Sequence, residues 1–366
     1  MVPEGLVTLE PNRHGGWAMA SKARPRPETT PPAKLTPHAL YGLRDVEAAL
    51  GRGRRPFQGD PEVSEGSGLD IRHAALEALL EAGEAGRWRT LAHPTAAAVT
   101  DVQRLAARAP HMSPVIDLVV RRLRAAQTIG VPTGLPPLLL LGPPGIGKTW
   151  LLARLAAALA VPFRAFAMNL ATLGDSLTGS HPLWRAGAPG LVAKALLTEA
   201  VANPLILVDE IDKPPPHHVG GDLYRPFYGL LEPEGSRSFV DDHLGIPIDA
   251  SRVMWIAAAN DIEGIPAPIV DRLTVVEVGA MAHDDRVAVV RSVYADLNKV
   301  YLDFFDPQPG RDLLERLAAL PPRRAKLVLD DAMSRAAAEG RRSVEASDAL
   351  AHAPAPSPTP KTRRMH

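Results

Sequence analysis

Leu138-Leu139-Leu140-Leu141-Gly142-Pro143-Pro144-Gly145-Ile146-Gly147-Lys148-Thr149 is the stretch on which the fold of this chain turns. Four consecutive leucines, too few for a helix and apolar on both faces, read as a strand buried inside a sheet. Trp150-Leu151-Leu152-Ala153-Arg154-Leu155-Ala156 then resumes helical spacing. The eight residues between fit G-x-x-x-x-G-K-[ST], a loop that requires a strand before it and a helix after it. Its glycines let backbone N–H groups turn inward around phosphates, and the helix N-terminus adds partial positive charge. Lys148 would reach the β- and γ-phosphates, and Thr149 would offer a hydroxyl to Mg2+. Gly142, Pro143, Pro144, Gly145, Ile146, Gly147, Lys148 and Thr149 are therefore the expected cradle, with ATP and Mg2+ the expected ligands. A bare Gly/Pro turn is the alternative, and eight matching positions in the right context outweigh it.

Working outward, residues 205–208 (Leu-Ile-Leu-Val) and 253–259 (Val-Met-Trp-Ile-Ala-Ala-Ala) are two more continuously apolar runs. With helical segments between them, they describe an α/β fold: a parallel sheet sandwiched by helices. Asp209 and Glu210 follow the second run directly, so both carboxylates leave the carboxyl end of the sheet, where such folds bind ligands. Asp209 is expected to hold Mg2+ through water, and Glu210 to orient and polarise an attacking water. An acidic helix cap is the rival reading for the pair, and it loses weight beside the phosphate loop.

The remainder divides by pattern. Residues 1–68 read as a proline-rich, largely disordered arm interrupted by one periodic stretch, 40–50, with no visible partner. Residues 69–127 read as a helical lead-in, with Ala75, Leu76 and Leu79 and then Val115, Val119 and Leu123 at helical spacing. The nucleotide-binding domain is placed at 128–281 and a small all-helical lid domain at 282–352, with helices expected over 286–298, 311–320, 323–339 and 343–351. A proline-rich basic tail, also read as disordered, closes the chain at 353–366.

At 366 residues and 46% hydrophobic, the chain is long enough for several domains and has material for a packed core. Lys plus Arg and Asp plus Glu both number 41, so there is no global positive field to favour nucleic acid. The absence of cysteine excludes disulfides and thiolate chemistry. No apolar run reaches the roughly 18 residues of a membrane span, and the first residues carry no secretory pattern. A cytoplasmic location with no membrane partner is the expectation.

The phosphate loop, the Asp209-Glu210 pair and Asn260 at the end of the 253–259 run together resemble an AAA+ ATPase. More narrowly, Asn203-Pro204-Leu205-Ile206-Leu207-Val208-Asp209-Glu210-Ile211-Asp212-Lys213 and Leu230-Leu231-Glu232-Pro233-Glu234 resemble the ATPase module of Lon proteases. So do Phe239-Val240-Asp241-Asp242-His243-Leu244 and Ile265-Pro266-Ala267-Pro268-Ile269-Val270-Asp271-Arg272-Leu273. The likeness runs over roughly residues 105–351. It implies that Asn260 is the sensor that positions the nucleophilic water and that Arg272 is an arginine finger completing a neighbouring subunit's site. It also implies that Arg323, or its neighbour Arg324, is the second sensor on the lid. A surface pair of Arg272 with Asp271 is the plainer reading of that arginine. Trp184 falls where the module carries an aromatic residue that grips polypeptide, although Arg185-Ala186 breaks the expected aromatic-aliphatic-glycine order.

What the resemblance implies is a homo-hexameric, chaperone-like ring hydrolase acting on a polypeptide or partner protein. The chain is too short after the lid for the Ser-Lys proteolytic domain of Lon, so no protease activity of its own is expected. A nucleic-acid motor or loader, and a nucleotide-gated scaffold that barely hydrolyses, are the two rival functions. His217-His218 are read as solvated residues, having no third ligand, and Arg121-Arg122-Arg124 and Arg341-Arg342 as solvated basic faces.

Overall fold

The computed structural model describes residues 9–11, 17–19, 36–53, 68–170, 175–184, 187–215 and 222–349. His217, His218 and the 353–366 tail lie outside them. The chain forms two compact units. Among the described residues, the first takes those up to 105 with 112–144 and 148–279, and the second takes 106–111, 145–147 and 280–349.

The first unit is built on five strands: β1 (Leu138–Leu141), β2 (Phe163–Ala167), β3 (Leu205–Asp209), β4 (Met254–Ala259) and β5 (Thr274–Glu277). They are all parallel, in the order β5-β1-β4-β3-β2. Every residue of β4 is buried, as are Leu138, Leu139 and Leu140 of β1 and residues 205–208 of β3. These three central strands are the apolar runs read from the sequence, as a sheet covered on both faces requires. The two edge strands escape such a reading because they are half exposed: only Phe166 in β2 and Val276 in β5 are buried. The crossovers include helices Lys148–Leu159, between β1 and β2, and Leu191–Leu197, between β2 and β3.

Residues 36–53 do not behave as an arm. Thr36–Ala39 pairs antiparallel with Trp88–Leu91, a strand that interrupts the helical lead-in. Helix Leu43–Gly53 packs beside helix Gly68–Glu81. Val46, Ala49, Leu76 and Leu79 join Val192 and Ile206 in one continuous core. The periodic stretch 40–50 thus has its partner, in residues a proline-rich composition concealed. Arg89 is almost wholly buried at the centre of this contact and donates to the Gly86 and Leu197 carbonyls at 2.6 and 2.7 Å. Burial pulls its pKa below the ordinary guanidinium value. A further antiparallel pair, Leu9–Pro11 with Trp17–Met19, lies near the N-terminus.

The second unit is helical. His283–Val300, Arg311–Ala318 and Pro322–Ala338 enclose Tyr294, Leu297, Phe305, Leu313, Leu317, Leu329 and Met333. The fourth expected helix, 343–351, is not α-helical over its described part, where a turn at 346–347 leads into 3-10 geometry at 348–349. The Asp348 carboxylate holds this segment. It accepts from the Glu345 N–H at 2.8 Å, as a carboxylate does at the start of a helical turn, and from Arg341 at 2.7 and 3.0 Å. Arg341 is thereby a structural clasp, where the sequence suggested a solvated face.

Candidate nucleotide site

The cradle is shaped by backbone geometry. Gly145 and Gly147 have φ of 78° and 95°, and a Cβ on either would meet nothing within 4 Å. The demand for glycine at both is conformational, since side-chain-bearing residues are strained at those angles. His111 Nε2 lies 2.9 Å from the Ile146 carbonyl oxygen, a contact at the loop that no sequence motif announces.

Four of the expected residues converge at the carboxyl ends of β1, β3 and β4. Lys148 is buried, and its Nζ donates to the carbonyls of Gly142 (2.6 Å) and Ala259 (2.9 Å) and to Asn260 Oδ1 (3.1 Å), with Pro143 O at 3.3 Å. An ammonium has three protons, so these four acceptors share them. Burial lowers the Lys148 pKa, and the carboxylates of Asp209 and Asp212 oppose that shift. Thr149 Oγ1 donates to Asp209 Oδ2 at 3.0 Å.

Glu210 sits beside this group in an uncommon state. Its φ is 51°, the left-handed region that a residue with a side chain enters at a cost. Its backbone N–H donates to Asp209 Oδ1 at 3.0 Å, and its carboxylate pairs with Lys213 Nζ at 3.3 Å. Asp212, which the sequence reading passed over, ties the two strand ends together. Its Oδ2 accepts the backbone N–H groups of Asn260 (3.1 Å) and Asp261 (3.2 Å), and Ile211 N–H donates to Ala258 O. Tyr224 adds a second tie, donating to Ile211 O at 2.7 Å with Gly264 O at 3.1 Å. The only sequence signal for Asp212 was its place two residues after Glu210.

Arg272 is not with them. It precedes β5, whose first residue Thr274 stands in register with Leu138, the first residue of β1. Because the strands are parallel, Arg272 lies at the opposite end of the sheet from the loop that follows Leu141. The length of β1 separates the two by at least about 10 Å. Its Nε is 2.8 Å from Glu232 Oε1, and its pairing with Asp271 is not seen. Arg323 and Arg324 are both exposed in the first turn of helix Pro322–Ala338 of the second unit.

Trp184 is half exposed at the tip of a loop, with Leu183 beside it 61% exposed. Arg185 and Ala186 lie outside the described residues. The base of the loop is stapled: Ser180 N–H donates to Ala188 O at 3.0 Å, Ala188 N–H donates to Ser180 Oγ at 2.8 Å, and Gly190 N–H donates to Asp241 Oδ2 at 2.8 Å. His243 Nδ1 lies 3.1 Å from Ser180 O, and Thr178 donates to Asp242 Oδ2 at 2.9 Å. Burial pushes the Asp241 carboxyl up to about 6 against the backbone donors of Leu244, Gly190 and His243. Burial likewise pushes the His243 imidazole down to about 4, with the Ser180 carbonyl working against it.

A phosphate loop on a parallel sheet of this strand order, with an acidic pair on the neighbouring strand's end, defines a P-loop ATPase domain. The comparisons with known proteins specify it: residues 138–279 match the ATPase family associated with various cellular activities (AAA), and this stretch of the chain is an AAA domain. Over 148 residues the chain is 38% identical to the mitochondrial Lon protease homologue of Saccharomyces cerevisiae, covering 40% of this chain and 13% of that protein. Over 206 residues it is 32% identical to the Lon protease of Frankia alni, covering 55% of this chain and 24% of that protein. The chain thus spans less than a quarter of the length of these curated relatives. Among solved structures, the RuvB Holliday junction branch migration motor of Thermotoga maritima aligns with a TM-score of 0.44 at 16% identity, over 65% of this chain and 67% of that one.

Proposed function

We propose that this AAA domain hydrolyses ATP with Mg2+ and, in a ring of like subunits, turns hydrolysis into remodelling of polypeptides. The observation that carries the reading is the convergence of Lys148, Thr149, Asp209 and Asn260 at one end of the sheet while Arg272 stands at the other. Lys148 binds the phosphates, exchanging its present carbonyl partners for phosphate oxygens. Asn260, held by Asp212, orients the attacking water, and Glu210 accepts its proton once its carboxylate parts from Lys213.

The Thr149 hydroxyl and Asp209 carboxylate, adjacent and made of hard oxygen donors, fit Mg2+, an ion that keeps several waters and needs only one or two carboxylates. Bound there, Mg2+ would neutralise charge developing on the phosphates. Among the described residues no cluster of three or more His, Cys, Asp or Glu competes for a metal. Arg272, unable to reach its own loop, serves the site of another copy, and Arg323 or Arg324 supplies the lid cation. The stapled loop presents Leu183 and Trp184 as an apolar grip for unfolded chain.

Steady-state hydrolysis against protein concentration, with and without casein, tests the reading. Activity should rise cooperatively with concentration, respond to casein, and collapse in Arg272→Ala by roughly 10³-fold. Glu210→Gln should bind ATP and not turn it over. Activity indifferent to Arg272 and casein, yet stimulated by DNA and lost steeply with added salt, would transfer the function to nucleic acid.

A further inference from the structure

Arg272 is held by three different elements. Helix Arg225–Leu230 brings Tyr228, whose ring centroid lies 5.8 Å from the Arg272 guanidinium carbon. The turn after that helix brings Glu232, with Oε1 2.8 Å from Nε. Helix Ala267–Val270 brings the Pro268 carbonyl, which accepts from Nη1 at 2.5 Å. The Nε atom is buried and faces the carboxylate without the alignment of a hydrogen bond. The contact therefore orients the plane of the guanidinium by charge. Nη2, which shares the Nε–H edge of the guanidinium, has no hydrogen-bond acceptor among the described residues.

We infer that Glu232 and Tyr228 are positioning residues that hold the Arg272 guanidinium for the nucleotide site of a second copy of this chain. The inference rests on the reading of Arg272 given above. A half-exposed ion pair contributes little to stability. Its physical effect here is to fix a side chain that otherwise samples many rotamers, so that the ordering cost is met before the second copy arrives. The ring of Tyr228 supports the face of the cation as the carboxylate fixes its edge.

The test compares Glu232→Gln, Tyr228→Leu and Arg272→Ala in the full chain, measuring kcat and KM for ATP. Glu232→Gln should lower kcat by about 3- to 10-fold, the scale of freeing one ordered side chain, with KM little changed. Tyr228→Leu should act in the same direction. Glu232→Gln subunits mixed with Glu210→Gln subunits should hydrolyse more ATP than the sum of the two alone, because a subunit with an intact fork then faces an intact site. Rescue by mixing shows that the fault lies in what the subunit gives to its neighbour, and an unchanged melting temperature of Glu232→Gln excludes a folding defect. If Arg272→Ala abolishes turnover while Glu232→Gln leaves kcat unchanged or raises it, the positioning role is overturned and the finger stands. If Arg272→Ala has no effect, the finger itself falls and the inference with it.

Discussion

Asp212 shows how much of a site one carboxylate can hold. Through a single oxygen it fixes the backbone of Asn260 and Asp261, so the end of β4 is set relative to the acidic end of β3. Asp212→Ala should leave ATP affinity near that of the parent while kcat falls by about 10- to 100-fold, the penalty for misplacing a water-orienting group. Binding of a fluorescent ATP analogue beside turnover measures both, and an unchanged kcat would remove Asp212 from the machinery. A second expectation concerns Gly147, whose φ is 95°. Gly147→Ala should weaken nucleotide binding, because the loop must either carry strain of about 1–2 kcal/mol or change shape. At this scale, legibility followed contiguity. Residues 142–149, Asp209 and Glu210 could be read because motif and strand stand side by side in the chain. Asp212, His111 and Glu232 act on partners that only folding brings near.

Elements were legible where burial was complete. The three central strands announce themselves as unbroken apolar runs, whereas β2 and β5 interleave Arg164 and Thr274 with apolar residues because an edge strand has a wet side. Composition misled over 36–53, where prolines flank a segment that completes the core. The Trp184 loop makes a further expectation at this scale. Asp241→Ala leaves the buried N–H groups of Gly190, His243 and Leu244 without their acceptor, and should destabilise the first unit by about 2–4 kcal/mol. Chemical denaturation measures it, and a loss below about 0.5 kcal/mol would mean that the staple does not hold the loop.

For the whole molecule, the same staple sets a response to acid. The folded His243 resists protonation down to about 4, while an unfolded histidine takes its proton near 6.5. Its contribution to stability is therefore present above about 6.5 and is lost as pH falls through about 4. Asp241 has the opposite sign. With its folded value near 6, its contribution is present below the ordinary carboxylate value and is lost as pH rises through about 6. The two slopes oppose each other between about 4 and 6. His243→Gln should remove one of them, so that the variant gains melting temperature relative to the parent on moving from pH 7 to pH 5. Calorimetry at the two pH values measures this, and parallel behaviour of the two proteins would show that His243 is not held neutral. A last consequence comes from the direction of the strands. The phosphate loop and Arg272 occupy opposite ends of one sheet, so if Arg272 serves another copy, as proposed, the surface that would receive a cation differs from the surface that would give one. Where copies join through them head to tail, the contact is heterologous. Such an assembly is left with two outcomes, closing on itself or growing as an open spiral with one unserved site at one end and one idle arginine at the other.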